Sequence, residues 1–294
     1  MSQTQRRKVA VVTGASSGIG YEVTKELARK GFKVFACARR TAPIEPLVNS
    51  FGKELIVPHH LDISELDEVL KFKEFLASEL PEQKLDILYN NAGQSCTFPA
   101  LDVSNDVMEQ CFKVNVFGHI NMTRELAQYL INAKGTVIFT GSIAGFSTLP
   151  FGSIYAATKA AIHEYARTLH LELKPFGVRV INAITGGVLT DIADKRDLPE
   201  GSIYKFPQGI DAFRTRQTMA KDNHPMPADV YAKKVVEDLL SSRDPVDIYR
   251  GRFATIMSFV HILVPYWLLE WGLARKFKLD KVAVAIQEKY NKTE

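Results

Sequence analysis

Tyr155 and Lys159 stand four positions apart in the alanine-rich stretch SIYAATKAAIHEYARTLH, residues 153–170. If that stretch is a helix, the spacing puts both side chains on one face, with the ammonium close to the phenol. A neighbouring positive charge favours phenolate and draws a pKa that starts near ~10 toward a working range, which suits the tyrosine to act as a general acid. The pair alone arises easily by chance. Two further residues keep it from standing alone: Ser142, 13 positions upstream of Tyr155 and just past the strand-like run GTVIFTGS, and Asn115 within FKVNVFG.

A second constellation lies near the start of the chain. The β-branched run VAVVTG passes into TGASSGIG, residues 13–20, and then into YEVTKELARKG, whose periodicity is helical. Gly14, Gly18 and Gly20 let the backbone turn tightly and approach a pyrophosphate, while the helix that follows aims its first N–H groups at the phosphates. At the end of the next strand, KVFACARR, Arg39 and Arg40 occupy the place where an acidic residue would meet a free ribose 2′-hydroxyl. Arginines there favour a 2′-phosphate, so NADPH is the expected cofactor. The same turn also spells GASSG, a GxSxG pattern with Ser16 as candidate nucleophile, so a serine esterase acting on acylglycerols is a rival reading. No histidine and acid announce themselves as its partners, although the chain has seven histidines.

These residues need a scaffold. Apolar runs at VAVVTG, KVFACARR, ELIVPHHLDI, KLDILYNNAG, GTVIFTGS and VRVINAI alternate with helical stretches. That alternation predicts an α/β fold, a doubly wound parallel sheet of Rossmann type covered on both faces. Residues 1–250 form the expected single domain. Within it, the turn-rich, mixed-charge segment 190–227 follows a strand's carboxyl end and is expected to act as a substrate lid. Its Lys195, Arg196, Lys205, Arg214, Arg216 and Lys221 suit an anionic group, and Ile203, Tyr204, Phe206 and Phe213 suit an apolar chain. Residues 251–294 have a different texture. Positions 253–269 carry no charge over 17 residues, yet contain Ser258, His261 and Pro265, and a bilayer crossing wants about 20 apolar residues. Arg250, Arg252, Arg275, Lys276 and Lys278 flank the run, and Tyr266, Trp267 and Trp271 suit a headgroup boundary. The expectation is a membrane-associating extension that lies at the interface or dips as a hairpin; the alternative is a helix packed on the core or on another subunit.

Composition narrows the rest. Of 294 residues 46% are hydrophobic and 24% charged, with a net charge of +4, which argues for a globular chain and gives no reason to expect nucleic acid. Cys37, Cys96 and Cys111 are widely spaced and lack metal-ligand patterns, so reduced thiols in a cytosol-facing protein and no metal are expected. The N-terminal MSQTQRRKVAVVTG holds too short an apolar run for a secretory signal.

TGASSGIG, LDI with Asp62, NNAG at 90–93, Asn115, Ser142 and YAATK occur in an order and spacing by which the chain resembles the short-chain dehydrogenase/reductase family over roughly residues 8–190. SCTFPALD, KVNVFGHINM, FGSIY, MAKDNHPMPADVYAK, VPYWLLE and KFKLDKV extend the resemblance toward its fungal members that reduce acylated dihydroxyacetone phosphate with NADPH. The resemblance implies that Tyr155 protonates a carbonyl oxygen, that Lys159 tunes Tyr155 and binds the nicotinamide ribose, that Ser142 holds the substrate oxygen, and that Asn115 positions a relay water. It places Gly14, Ser16, Ile19, Gly20, Arg39, Arg40, Asp62, Asn91, Gly93, Arg124, Val188 and Thr190 along the cofactor, with Tyr155 and Lys159 at its nicotinamide end. The implied substrate is 1-acylglycerone 3-phosphate, reduced to 1-acylglycerol 3-phosphate; another lipophilic ketone, such as a steroid, is the alternative. A catalytically idle NADP-binding relative would have lost one of Asn115, Ser142, Tyr155 or Lys159, and all four are present. The implied location is a lipid-droplet or endoplasmic-reticulum surface facing the cytosol, or the mitochondrial outer membrane, with a homo-oligomer left open. One departure is visible: Thr185-Gly186 replaces the family's frequent Pro-Gly, which should loosen that turn.

Overall fold

The computed structural model describes residues 6–80 and 82–291. Strands β1 (Val9–Thr13), β2 (Lys33–Ala38), β3 (Ile56–His60), β4 (Ile87–Asn90), β5 (Thr136–Thr140), β6 (Arg179–Thr185) and β7 (Asp247–Arg250) form one sheet in the order β3-β2-β1-β4-β5-β6-β7. Every neighbouring pair is parallel. β1 and β5 are buried along their whole length, which is why they read as unbroken apolar runs and not as alternating ones.

The helices are α1 (Gly18–Arg29), α2 (Glu45–Phe51), α3 (Leu66–Glu79), α4 (Asn105–Phe112), α5 (Gly118–Ala133), α6 (Ser153–Leu173), α7 (Pro207–Asp222), α8 (Ala228–Leu240), α9 (Ala254–Leu263), α10 (Tyr266–Lys276) and α11 (Leu279–Asn291). Alternation along β1 divides the core between the two faces of the sheet. Ala10 and Val12 pack with Val23, Leu27, Tyr231 and Val235 from α1 and α8. Val9 and Val11 pack with Phe72, Leu126 and Ile162 from α3, α5 and α6. The chain moves outward from β1 to β2 and β3, then returns to β4 on β1's other side. A crevice therefore opens beyond the carboxyl ends of β1 and β4, where open α/β sheets bind ligands.

All six apolar runs become strands, and β7 is a seventh that the pattern does not announce. It is a four-residue edge strand in which only Ile248 is buried, too short for periodicity to register. The expected lid is also not uniformly loose, since 16 of its residues form α7. Only Gly209, Ala212 and Phe213 of that helix are buried, so its apolar stripe is too thin to stand out, although Pro207 in its first turn is a helix-start signal. Ala212 and Phe213 join Phe151, Leu198 and Val282 in a small separate core. Lys278 Nζ meets Asp211 at 2.7 Å. α7 is thus held between the approach to α6 and the returning α11.

Residues 253–269 form two helices, not one. The break falls at Val264-Pro265, because the residue before proline is driven out of helical space. Among the described residues no helix is long and apolar enough to cross a membrane. Ile256, Phe259, Ile262, Leu263, Trp267 and Trp271 are all exposed. The segment touches the body through buried Ala254 and through His261, whose ring lies 5.1 Å from that of Phe146. The three cysteines are free and buried.

Candidate active site

On the 21-residue helix α6, Tyr155, Lys159 and His163 form one stripe at four-residue spacing. Lys159 and His163 are buried, and Tyr155 keeps part of its surface open. The Lys159 ammonium donates to the Thr140 carbonyl at the end of β5, 2.8 Å away, and lies 5.8 Å from the centre of the Tyr155 ring. Burial pushes the ammonium down to about 8. Burial also pushes the Tyr155 phenol up, while hydrogen bonding with Ser142 and the charge of Arg216 pull it back. The lowering that the four-residue spacing predicts from Lys159 therefore comes from other groups, because the backbone carbonyl draws the ammonium toward the sheet.

Ser142 opens the short turn Ile143–Gly145; its hydroxyl accepts from Ala144 N at 3.1 Å. Its own backbone N–H donates to His163 Nε2 at 3.0 Å. Accepting that bond requires a neutral ring with its proton on Nδ1. Burial, aided by the charges of Lys159 and Arg167, lowers His163 to about 4, so it stays neutral near pH 7. Gly141 and Gly145 make room for the ring: a Cβ at either would fall 2.7 or 2.4 Å from its atoms. His163 thus fixes the backbone of Ser142, a task the sequence reading misses. Its one signal is its place a turn beyond Lys159.

Asn115 is wholly buried in a five-residue π turn, Lys113–Phe117, between α4 and α5. A continuous helical pattern hides this bulge, which widens a helix locally and is frequent at functional sites. Asn115 Oδ1 accepts from Gln94 N at 2.9 Å, and Nδ2 donates to Gln94 O at 3.0 Å and to Thr158 Oγ1 at 3.1 Å. The side chain joins the loop after β4 to α6.

A cavity of about 470 Å³ occupies the crevice. Gly14, Ser16, Ile19, Arg39, Arg40, Asp62, Asn91, Gly93, Ser142, Tyr155, Lys159, Val188 and Thr190 all border it. Gly14 has φ +68°, and a Cβ there would lie 2.8 Å from Ala92 Cα. Asn91 Nδ2 clamps the turn by donating to Thr13 O at 3.0 Å. Gly20 lies beneath the turn, where a Cβ would fall 2.3 Å from the Gly14 carbonyl oxygen. At the other end Arg39 and Arg40 are exposed, with Arg39 Nη1 3.8 Å from Asp62 Oδ2. Asp62 Oδ1 is occupied by the N–H and hydroxyl of Ser64, so both guanidinium groups keep donors for an incoming anion. A glycine cradle at one point and two open arginines at another fit a dinucleotide bearing a 2′-phosphate.

Two expectations need correction. Arg124 does not border the cavity; it is exposed on α5 and pairs with the adjacent Glu125 at 2.9 Å. The Thr185-Gly186 turn is tied and not loose: Thr185 Oγ1 meets the Tyr231 hydroxyl at 2.6 Å, and Gly186 N donates to Arg250 O at 2.9 Å. β7, unforeseen, supplies that second tie. Ser16 borders the cavity, but among the described residues no histidine forms a hydrogen bond with it, so the esterase reading gains no support.

The family profile described as short chain dehydrogenase matches residues 8–201. The chain is 68% identical to the NADPH-dependent 1-acyldihydroxyacetone phosphate reductase of Saccharomyces cerevisiae, over 98% of this chain and 97% of that one. It is 33% identical to a short-chain dehydrogenase of Pyricularia oryzae, over 94% and 97%. Among solved structures, a short-chain dehydrogenase from Streptomyces avermitilis superposes with a TM-score of 0.77 at 23% identity, covering 96% of this chain and 99% of that one. Another, from Burkholderia cenocepacia in complex with NADP, gives 0.70 at 23% identity over 91% and 98%. The parallel sheet agrees with the solved folds, and the profile match and the identities carry the conclusion: the chain belongs to the short-chain dehydrogenase family.

Proposed function

We propose that the protein reduces the ketone of 1-acylglycerone 3-phosphate with NADPH, giving the secondary alcohol 1-acylglycerol 3-phosphate. The observation that carries this reading is the convergence of Ser142, Tyr155 and Lys159 at one end of a crevice whose other end is held by Arg39 and Arg40. The activity in the name of the yeast relative at 68% identity supports the choice of ketone. NADPH, when bound, supplies a hydride to the carbonyl carbon. Tyr155, kept protonated by burial, gives its proton to the carbonyl oxygen, and the Ser142 hydroxyl steadies that oxygen. Lys159, held by Thr140, would bind the ribose hydroxyls at the nicotinamide end. Asn115 fixes the loop at Gln94 and would position the relay water. Purified protein should oxidise NADPH with acylglycerone phosphate, and replacing Arg39 and Arg40 by alanine should raise KM for NADPH by about 10-fold or more, with little effect on NADH. Activity confined to bulky lipophilic ketones, or equal use of NADH by the unaltered protein, would sink the assignment.

The same reading places the protein on the cytosolic face of lipid droplets or endoplasmic reticulum through the exposed apolar faces of α9 and α10. Arg250 is committed to Asp238 and Lys278 to Asp211, each at 2.7 Å, which leaves Arg252, Arg275 and Lys276 for anionic headgroups. The full chain should float with anionic phospholipid vesicles, and a Phe259→Asp, Trp267→Asp variant should stay in solution. Flotation of both alike would end the membrane proposal.

A further inference from the structure

Among the six cations of segment 190–227, the structure separates one from the rest. Arg196 is held by Asp194 through two hydrogen bonds, 2.9 and 2.6 Å. Lys205 pairs with Glu200. Lys195, Arg214 and Lys221 are exposed to solvent. Arg216 is only partly exposed, and its Nε is buried with no hydrogen-bond partner among the described residues. It has no ion pair with a carboxylate among those residues either.

Its position follows from the packing of α7. Phe213, one turn earlier on the same face, sits edge-on to Phe151 with ring centroids 5.7 Å apart. Phe151 has φ +57°, a left-handed conformation that is strained for an aromatic residue and persists only where its surroundings enforce it. It immediately precedes Gly152, the residue at the entrance to α6. Anchoring Phe213 there carries Arg216 to the same entrance: its Nη2 lies 3.3 Å from where a Cβ on Gly152 would stand. Any larger residue at 152 would press on the guanidinium. Arg216 and Tyr155 each shift the other's titration, the guanidinium lowering the phenol and the phenol partly offsetting the effect of burial on the guanidinium. The guanidinium thus lies at the entrance to α6, a point close in sequence to the proton donor Tyr155, and does not border the cofactor cavity.

A cationic Nε shut away from water with no acceptor is unfavourable, and an anion brought to the half-buried guanidinium would relieve it. The missing partner is then an anion that arrives with the ligand. In an acylglycerone phosphate the phosphate ester stands on the carbon next to the ketone, so it comes to rest beside the group that protonates the carbonyl oxygen. We propose that Arg216 is the phosphate-binding residue of the substrate site, and that it selects phosphorylated ketones over neutral ones of the same chain length. This rests on the reductase reading above and adds the residue that sets its substrate class.

The test compares 1-palmitoylglycerone 3-phosphate with 1-palmitoylglycerone, both with NADPH and the full chain. The readout is the ratio of kcat/KM for the two. Arg216→Met should lower that ratio by about 100-fold, chiefly through KM for the phosphate ester, the scale expected for charge-assisted hydrogen bonds. Arg216→Lys should recover part of it, and Arg214→Met, on the exposed side of the same helix, should leave the ratio close to that of the unaltered protein. If Arg216→Met depresses both substrates alike, the residue has only a structural part and the inference fails while the reductase assignment stands. If the unaltered protein reduces the neutral ketone and ignores the phosphate ester, both fall together.

Discussion

A Tyr155→Phe variant is expected to lose about 10³-fold in kcat with acylglycerone phosphate while its NADPH affinity stays nearly unchanged. Phenylalanine preserves the ring's packing on α6 and removes one oxygen. That oxygen is the one proposed to give its proton to the alkoxide, so the loss should appear in the chemical step and not in KM. Ser142, its backbone N–H still held by His163, remains to polarise the carbonyl, which leaves a residual rate. Single-turnover NADPH oxidation measures the first quantity and quenching of protein fluorescence by NADPH the second. A drop in kcat below about tenfold would place the proton donor elsewhere. The unaltered enzyme should also slow as pH rises past about 8, where the buried Lys159 ammonium gives up its proton. The Tyr155 phenol, raised by burial, ionises later.

A single methyl group at Gly20 should be nearly as damaging by a different route. The added Cβ would lie 2.3 Å from the Gly14 carbonyl oxygen and 2.5 Å from Asn91 Nδ2. Neither neighbour can withdraw: one is backbone in a left-handed turn, and the other is the clamp that donates to Thr13 O. The start of α1 must move away from the turn, which destroys the alignment of the N–H groups that would receive the pyrophosphate. Gly20→Ala is expected to destabilise the protein by about 2 kcal/mol and to weaken NADPH by roughly 100-fold. The check is thermal unfolding with and without NADPH, because the upward shift that a bound ligand produces should vanish in the variant. Gly201→Ala serves as the control, since nothing lies within 4 Å of its added Cβ and its φ needs no glycine. Equal NADPH-induced shifts in Gly20→Ala and the unaltered protein would remove the turn from the cofactor site.

Much of the scaffold was legible because a doubly covered parallel sheet leaves an unambiguous mark, runs such as VAVVT and TVIFT with every residue buried. The cavity-lining residues were legible because Gly14 and the paired arginines each answer a local stereochemical demand, as does Gly20 beneath the turn. What escaped the sequence depends on contacts distant along the chain. β7 is too short to show a period, and its placement beside β6 is what secures Gly186. The π turn is one extra residue inside an uninterrupted helical pattern, so it becomes visible only when Asn115 meets Gln94. The four-residue spacing of Tyr155 and Lys159 did bring them to one face, but the spacing says nothing about the Thr140 carbonyl that claims the ammonium. His163 and Arg216 had no motif at all. Each acquires its place from a third element, α6 against the turn after β5 in one case, and α7 against Phe151 in the other.

The small core around Phe213 has a consequence for how the two ends of the molecule communicate. Val282 of α11 belongs to it, and Lys278 meets Asp211 of α7 beside it. α11 follows α10 directly, so the helix carrying Arg216 and the exposed apolar helices α9 and α10 share an anchor. If the proposed membrane contact through α9 and α10 holds, linkage would run in both directions: whatever restrains those helices would bias α7, and a ligand that shifts α7 would change their affinity for the surface by the same factor. On that proposal, a ligand that engages Arg216 would also change how long the protein resides on a lipid surface.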